Sequence, residues 1–188
     1  SGKHSRAFMV AAFAVVSGDS NAYWLVRVAA PHSVSLRPDL QEACHKGDPL
    51  ACIVLGMSFS LHGAERARAI PPLRKACGEG NLMGCNYLGY HHLSGRGVPR
   101  DPKKALALFS RACDGGRMAG CNNLAHLHLF GKGVPVDHDK ALTLLRRVCK
   151  GGEMTGCSYL GFMYLKGKGL PRDTTRALAL IKRACDGG

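Results

Sequence analysis

No apolar run in this 188-residue chain reaches the roughly 18 residues of a membrane-spanning helix, so no membrane span is expected. The longest, Ala7 to Val16, follows Lys3, His4 and Arg6 and precedes small polar residues up to Ala22. That order resembles a secretory signal with its cleavage site; a buried strand or helix capping the fold is the alternative. Acidic residues are scarce, with 13 Asp and Glu against 26 Lys and Arg. The surface therefore carries a positive field that favours an acidic partner. The cations are scattered, no basic block is present and no nucleic-acid motif accompanies them, so nucleic acid is not the expected partner. With 46% apolar residues the chain has enough material for a core, which excludes a disordered tail.

Closely spaced cysteine pairs are also missing. The nine cysteines stand at 44, 52, 77, 85, 113, 121, 149, 157 and 185, forming four successive pairs eight residues apart. Structural zinc sites use pairs two to four residues apart, so this spacing argues against zinc. On one continuous helix, eight residues would separate the Cα atoms by about 12 Å, whereas a disulfide needs roughly 4.4 to 6.8 Å. The chain must turn back within each pair. Gly47-Asp48-Pro49, Gly78-Glu79-Gly80, Asp114-Gly115-Gly116 and Gly151-Gly152 supply that turn, with glycine able to end a helix in a left-handed conformation. Four local disulfides follow: Cys44 with Cys52, Cys77 with Cys85, Cys113 with Cys121, and Cys149 with Cys157. Such bridges persist only in an oxidising compartment, secreted or periplasmic.

Cys77, Cys113, Cys149 and Cys185 recur every 36 residues, the signature of a repeat array. Residues 85–95, 121–131 and 157–167 read as the first helix of each unit, with Leu88, Leu124 and Leu160 beside the small residues Gly89, Ala125 and Gly161. A loop of the type Gly-[Arg/Lys]-Gly-[Val/Leu]-Pro follows. Asp101, Asp137 and Asp173 then stand where a second helix needs an N-cap, and Pro102 is at a tolerated first position. A broad apolar stripe from Ala105 to Ala112, repeated 36 and 72 residues on, requires neighbouring pairs to stack. The first unit is irregular: its loop after Gly63 is three residues shorter, and Pro71-Pro72 fall where its second helix should be continuous. The repeat signal covers residues 40–188, about four units, and residues 1–39 form a separate N-terminal segment. Ser1-Gly2, with no initiator Met, reads as a tag scar or an internal start. Cys185-Asp-Gly-Gly stops where a helix with a partner cysteine near position 193 is expected, so the natural protein is expected to continue.

Gly-Cys-x-x-Leu-Gly, Gly-[Arg/Lys]-Gly-Val-Pro and Lys-Ala-Leu-x-Leu at this period resemble Sel1-like repeats, a branch of the tetratricopeptide superfamily. The added Cys-x7-Cys resembles the Helicobacter cysteine-rich protein (Hcp-like) group. The resemblance implies an all-α fold, an α/α superhelix built as a right-handed solenoid of disulfide-linked antiparallel helix pairs, used chiefly to bind a protein or peptide. Some Hcp-like members are described as binding or slowly hydrolysing penicillin-type antibiotics, which makes a weak β-lactamase the alternative function. A mitochondrial relative that assists respiratory-complex assembly makes the intermembrane space the alternative compartment. For the enzymatic alternative the residues offer little, because no serine has a lysine three residues later to activate it. No catalytic residue and no cofactor is assigned.

If the tetratricopeptide resemblance carries over, the concave surface is lined by the first helix of each pair, one and five residues after the cysteine. These positions are Asn86 and Tyr90, Asn122 and His126, Ser158 and Phe162, each pair on one helical face. They are the expected peptide-binding residues, with inter-repeat packing as the competing role. His92 and His128 take the place of Tyr164 and read as packing residues. His126 and His128 point about 200° apart on a helix and do not share an ion easily, although capture of haem or metal by His91, His92, His126 or His128 is a further alternative. Lys75, Arg111, Arg147 and Arg183 form a ladder near helix C-termini, explained by the helix dipole or by an acidic partner.

Overall fold

The computed structural model describes residues 37–186; the signal-like stretch Ala7–Val16 lies outside the described residues. Nine α-helices are present among the described residues, and no strand. They are α1 (Arg37–His45), α2 (Pro49–Leu61), α3 (Ile70–Gly78), α4 (Leu82–Ser94), α5 (Pro102–Asp114), α6 (Met118–Phe130), α7 (His138–Lys150), α8 (Met154–Lys166) and α9 (Thr174–Asp186). Two compact units divide between Arg100 and Asp101, the first holding α1 to α4 and the second α5 to α9.

Asp and Asn side chains cap the starts of α2, α4, α5, α7 and α9, whereas α3, α6 and α8 start without a side-chain cap. Asp48 accepts from the Leu50 and Ala51 amides ahead of Pro49, and Asn81 accepts from Met83 and Gly84. Asp101, Asp137 and Asp173 accept from the amides of Lys104, Lys140 and Arg176. Each such bond satisfies an amide that the first helical turn leaves without a partner, which is why Asn and Asp recur there. The long first helices end at Gly95, Gly131 and Gly167, whose φ values of 70°, 64° and 65° fall in the left-handed region. A side chain at these positions would be strained.

Each disulfide closes a hinge between successive helices, with Cα atoms 4.4 to 4.6 Å apart. Cys44 at the end of α1 joins Cys52 in α2, Cys77 of α3 joins Cys85 of α4, Cys113 of α5 joins Cys121 of α6, and Cys149 of α7 joins Cys157 of α8. The chain reverses through residues with φ near 90° at Gly47, Gly80, Gly116 and Gly152. The glycine before Cys85, Cys121 and Cys157 lets the two helices approach. A Cβ on Gly84 would lie 2.8 Å from Ala76 Cβ, and one on Gly120 would lie 2.6 Å from Ala112 Cβ. Cys185 is free and exposed.

Within each unit a second glycine contact sets how one repeat sits on the one before. A Cβ on Gly133 would collide with the Pro102 ring, and one on Gly169 would fall 2.5 Å from His138 Cβ. In the first unit a Cβ on Gly97 would collide with the Arg66 carbonyl. All three are the second glycine of the Gly-[Arg/Lys]-Gly loop, and all three meet a residue 31 positions earlier. The core of the second unit runs through Ala125, Leu129, Ala141, Leu145, Leu160 and Met163.

The irregular first repeat is resolved without a broken helix. Residues Gly63–Ala69 form a 3-10 segment in place of the longer loop, and α3 starts only at Ile70. Pro71 and Pro72 therefore sit in its first turn, where a missing amide hydrogen costs nothing. The segment is anchored by Arg37, which pairs with Glu65 at 2.7 Å. The guanidinium groups of Arg37 and Arg68 each lie 4.6 Å from the Phe59 ring centroid, a stacking geometry that favours arginine over lysine.

Candidate interaction surface

In the second unit, α6 and α8 bring four rings together. His126 and Phe130, one turn apart on α6, have centroids 4.8 Å apart. Tyr159 of α8 meets His126 at 5.7 Å and Phe130 at 6.3 Å, and Phe162 meets Phe130 at 6.0 Å. The pairs are tilted or edge-on, the arrangements that ring quadrupoles favour. Phe130 retains 38% of its surface in solvent. An exposed large apolar ring beside other rings is more informative than an isolated one.

A cation accompanies this cluster. Lys168, in the loop after α8, holds its Nζ 5.7 Å from both the Phe130 and the Phe162 ring centroids. Burial pushes the His126 imidazole below its ordinary pKa, and the nearby Lys132 charge pushes it the same way. Lys132 and Lys168 are the middle residues of the two Gly-Lys-Gly loops. Neither makes a carboxylate ion pair among the described residues. The same arrangement occurs independently in the first unit, where Tyr90 is 43% exposed and Arg96 places its guanidinium carbon 5.5 Å from the ring. An aromatic five residues after the cysteine with a cation six residues further on thus recurs in the repeats of Cys85 and Cys157.

The other expected binding residues contribute unequally. Asn86 is half-buried in the first unit. Asn122 is half-buried, and its Oδ1 is enclosed without a hydrogen-bond donor. Ser158 is exposed and turns its hydroxyl back to donate to the Met154 carbonyl of its own helix. Phe130 and Tyr159 complete the cluster together with Lys168, and repeat phase does not point to Phe130.

The histidines have separate environments. His91 is 3% exposed; its Nδ1 lies 2.6 Å from the Arg96 carbonyl and its Nε2 lies 2.8 Å from Ser60 Oγ. Burial holds the His128 imidazole below its ordinary pKa, with Lys140 acting the same way and Asp137 opposing, while Arg146 and Arg176 hydrogen-bond Tyr164 and hold its phenol below the usual range. No group of three or more His, Cys, Asp or Glu side chains is gathered as a metal site among the described residues.

The basic ladder is engaged inside the protein. Lys75 Nζ donates to the carbonyls of Cys44 and His45 at 2.6 and 3.0 Å. Arg147 and Arg183 donate to the carbonyls of Cys113 and Cys149, each at 3.5 Å. The dipole explanation therefore holds in altered form: these cations serve the helix end one repeat earlier rather than their own. A cavity of about 280 Å³ beside Lys75, lined by Leu55, Phe59, Pro71 and Pro72, lies in the first unit.

Three stretches of the chain match the Sel1 repeat family, at residues 82–116, 119–153 and 155–188. No curated protein matches the sequence. Among solved structures the chain is similar to a Sel1 repeat protein from Oxalobacter formigenes, with a TM-score of 0.76 and 21% identity over 91% of this chain and 72% of that one. It is also similar to c5321, a protective antigen of uropathogenic Escherichia coli with an SLR fold (TM-score 0.74, 24% identity, 93% of this chain and 40% of that one). Cysteine rich protein B of Helicobacter pylori aligns over 64% of this chain and 86% of its own length, with a TM-score of 0.50 and 27% identity.

Proposed function

Because this chain belongs to the Sel1 repeat family, we propose that its disulfide-bonded scaffold captures a segment of a partner protein or peptide on the face carried by its first helices. The observation that carries this reading is the cluster of His126, Phe130, Tyr159 and Phe162. Aromatic side chains offer large contact area with few torsions to freeze, so they bind at low entropic cost. A repeat array supports such a role because each unit adds a similar patch to a surface already rigid. The four bridges support a secreted or periplasmic setting, where an oxidising environment keeps them closed.

The test is partner capture from the envelope fraction by wild-type protein and by the Phe130→Ala, Phe162→Ala double variant, with thermal unfolding measured on both. Retention by the wild type, loss in the variant and a melting temperature lowered only slightly are expected. Equal capture by the two proteins removes the aromatic face from the function.

A further inference from the structure

We infer that the cluster in the second unit selects an acidic residue placed next to an apolar or aromatic one, the carboxylate lying against Lys168 and Lys132 while the apolar side chain covers Phe130 and Phe162. This deepens the reading above and rests on it. The first support is charge. Lys168 stands over two rings, Lys132 is near enough to His126 to act on its titration, and neither has a carboxylate partner among the described residues. The carboxylates of Asp101, Asp137 and Asp173, by contrast, are occupied by their own helix amides and by Lys104, Lys140 and Arg176. Lys132 and Lys168 are thus available to a carboxylate of a bound peptide, the complement that the inference assigns to them.

The second support is that the pairing recurs. Arg96 over Tyr90 in the first unit repeats the aromatic and cation at the same two positions, although Phe130 itself has no aromatic counterpart there. A cation held above a ring is partly desolvated on one side, and its remaining solvent-facing side is where an anion adds attraction. The rings beneath supply apolar contact that a free anion does not use, so the site discriminates an acidic side chain on an apolar peptide from a bare negative charge.

The probe is a random twelve-residue peptide library displayed on phage and selected on the immobilised full chain. It is read by sequencing and followed by titration of one enriched synthetic peptide and its Asp→Asn, Glu→Gln counterpart. Enrichment of Asp or Glu beside Phe, Tyr, Leu or Ile is expected. The amide counterpart and the Lys132→Gln, Lys168→Gln double variant should each bind about fivefold to tenfold more weakly, with the difference shrinking at high salt. Enrichment of apolar peptides without acidic neighbours, or unchanged affinity in the lysine variant, overturns the inference while leaving peptide capture intact. Failure to enrich any peptide overturns both. Lysine-dependent binding of polyuridylate or of phosphatidylglycerol vesicles, with no peptide selected, assigns the cations to another class of partner and likewise overturns the inference.

Discussion

Lys75 donates to the carbonyl oxygen of Cys44 at 2.6 Å, so a cation on α3 closes the C-terminal end of α1. The last carbonyls of a helix lack amide partners and carry the negative end of its dipole. A charged donor placed there satisfies both deficits. Arg147 and Arg183 repeat the contact on Cys113 and Cys149 at the longer distance of 3.5 Å.

Replacing Lys75 by Met keeps the aliphatic stem and removes the donor. A loss of about 1 to 2 kcal/mol is expected in denaturant unfolding. Arg147→Met should cost less, since its bond is longer. Equal stability of Lys75→Met and wild type would show that solvent satisfies the Cys44 carbonyl as well.

The bridges should matter individually. In the chain-entropy account, a loop of eight residues contributes about 2.5 kcal/mol. The Cys113→Ala, Cys121→Ala double variant is therefore expected to unfold at lower denaturant with an unchanged slope. Reductant should destabilise the wild type by more than this single deletion, because four bridges open.

Two glycines predict opposite outcomes. Gly120→Ala drives a methyl to 2.6 Å from Ala112 Cβ and 2.9 Å from the Cys113 amide nitrogen. Since α5 and α6 are locked at that point, a cost of about 1 to 3 kcal/mol is expected. Gly78 lies at the end of α3 with nothing within 4 Å of an added Cβ. Gly78→Ala should be neutral or raise stability by up to about 1 kcal/mol. Thermal melts of the two variants under oxidising conditions make the comparison.

His91 makes stability depend on pH. Burial is the largest cause holding its pKa below the ordinary 6.5, with Arg96, His92 and Arg66 acting in the same direction and a hydrogen bond to the Arg96 backbone opposing them. The unfolded chain therefore binds a proton at this residue before the folded one does. The stabilising contribution is complete above about pH 6.5 and is lost as pH falls toward the lowered folded value. His91→Met, which places here the residue found at 163, should flatten the fall in melting temperature between pH 7.5 and 5.5, chosen as about one unit either side of the ordinary value. An identical pH profile in the variant assigns the slope to other groups.

Cysteine spacing and glycine placement made the hinges legible, because both a disulfide and a left-handed turn impose strict local geometry. The aspartate caps were legible for the same reason. Less visible was the 3-10 segment at Gly63–Ala69, which depends on Arg37 reaching Glu65 across 28 residues. The ladder residues were found, but their acceptors were not, since the nearest helix end in sequence is not the one they serve. Repeat phase led to His126 and Phe162 and missed Phe130, whose equivalents 36 residues away are Ser94 and Lys166. The i, i+4 relation between His126 and Phe130 was the available signal, and it is a property of one helix rather than of the array.

The eight-residue spacing of the bridges also governs how the oxidised chain is reached. A mispairing between neighbouring units, such as Cys121 with Cys149, would close a loop of 28 residues. Loop-closure entropy alone disfavours that by about 1 kcal/mol against the native loop of eight. Both partners of each native pair also emerge from a ribosome or translocon nearly together, before the next pair is available. Oxidation can then proceed in chain order, each bridge withdrawing two thiols from competition before the following two arrive.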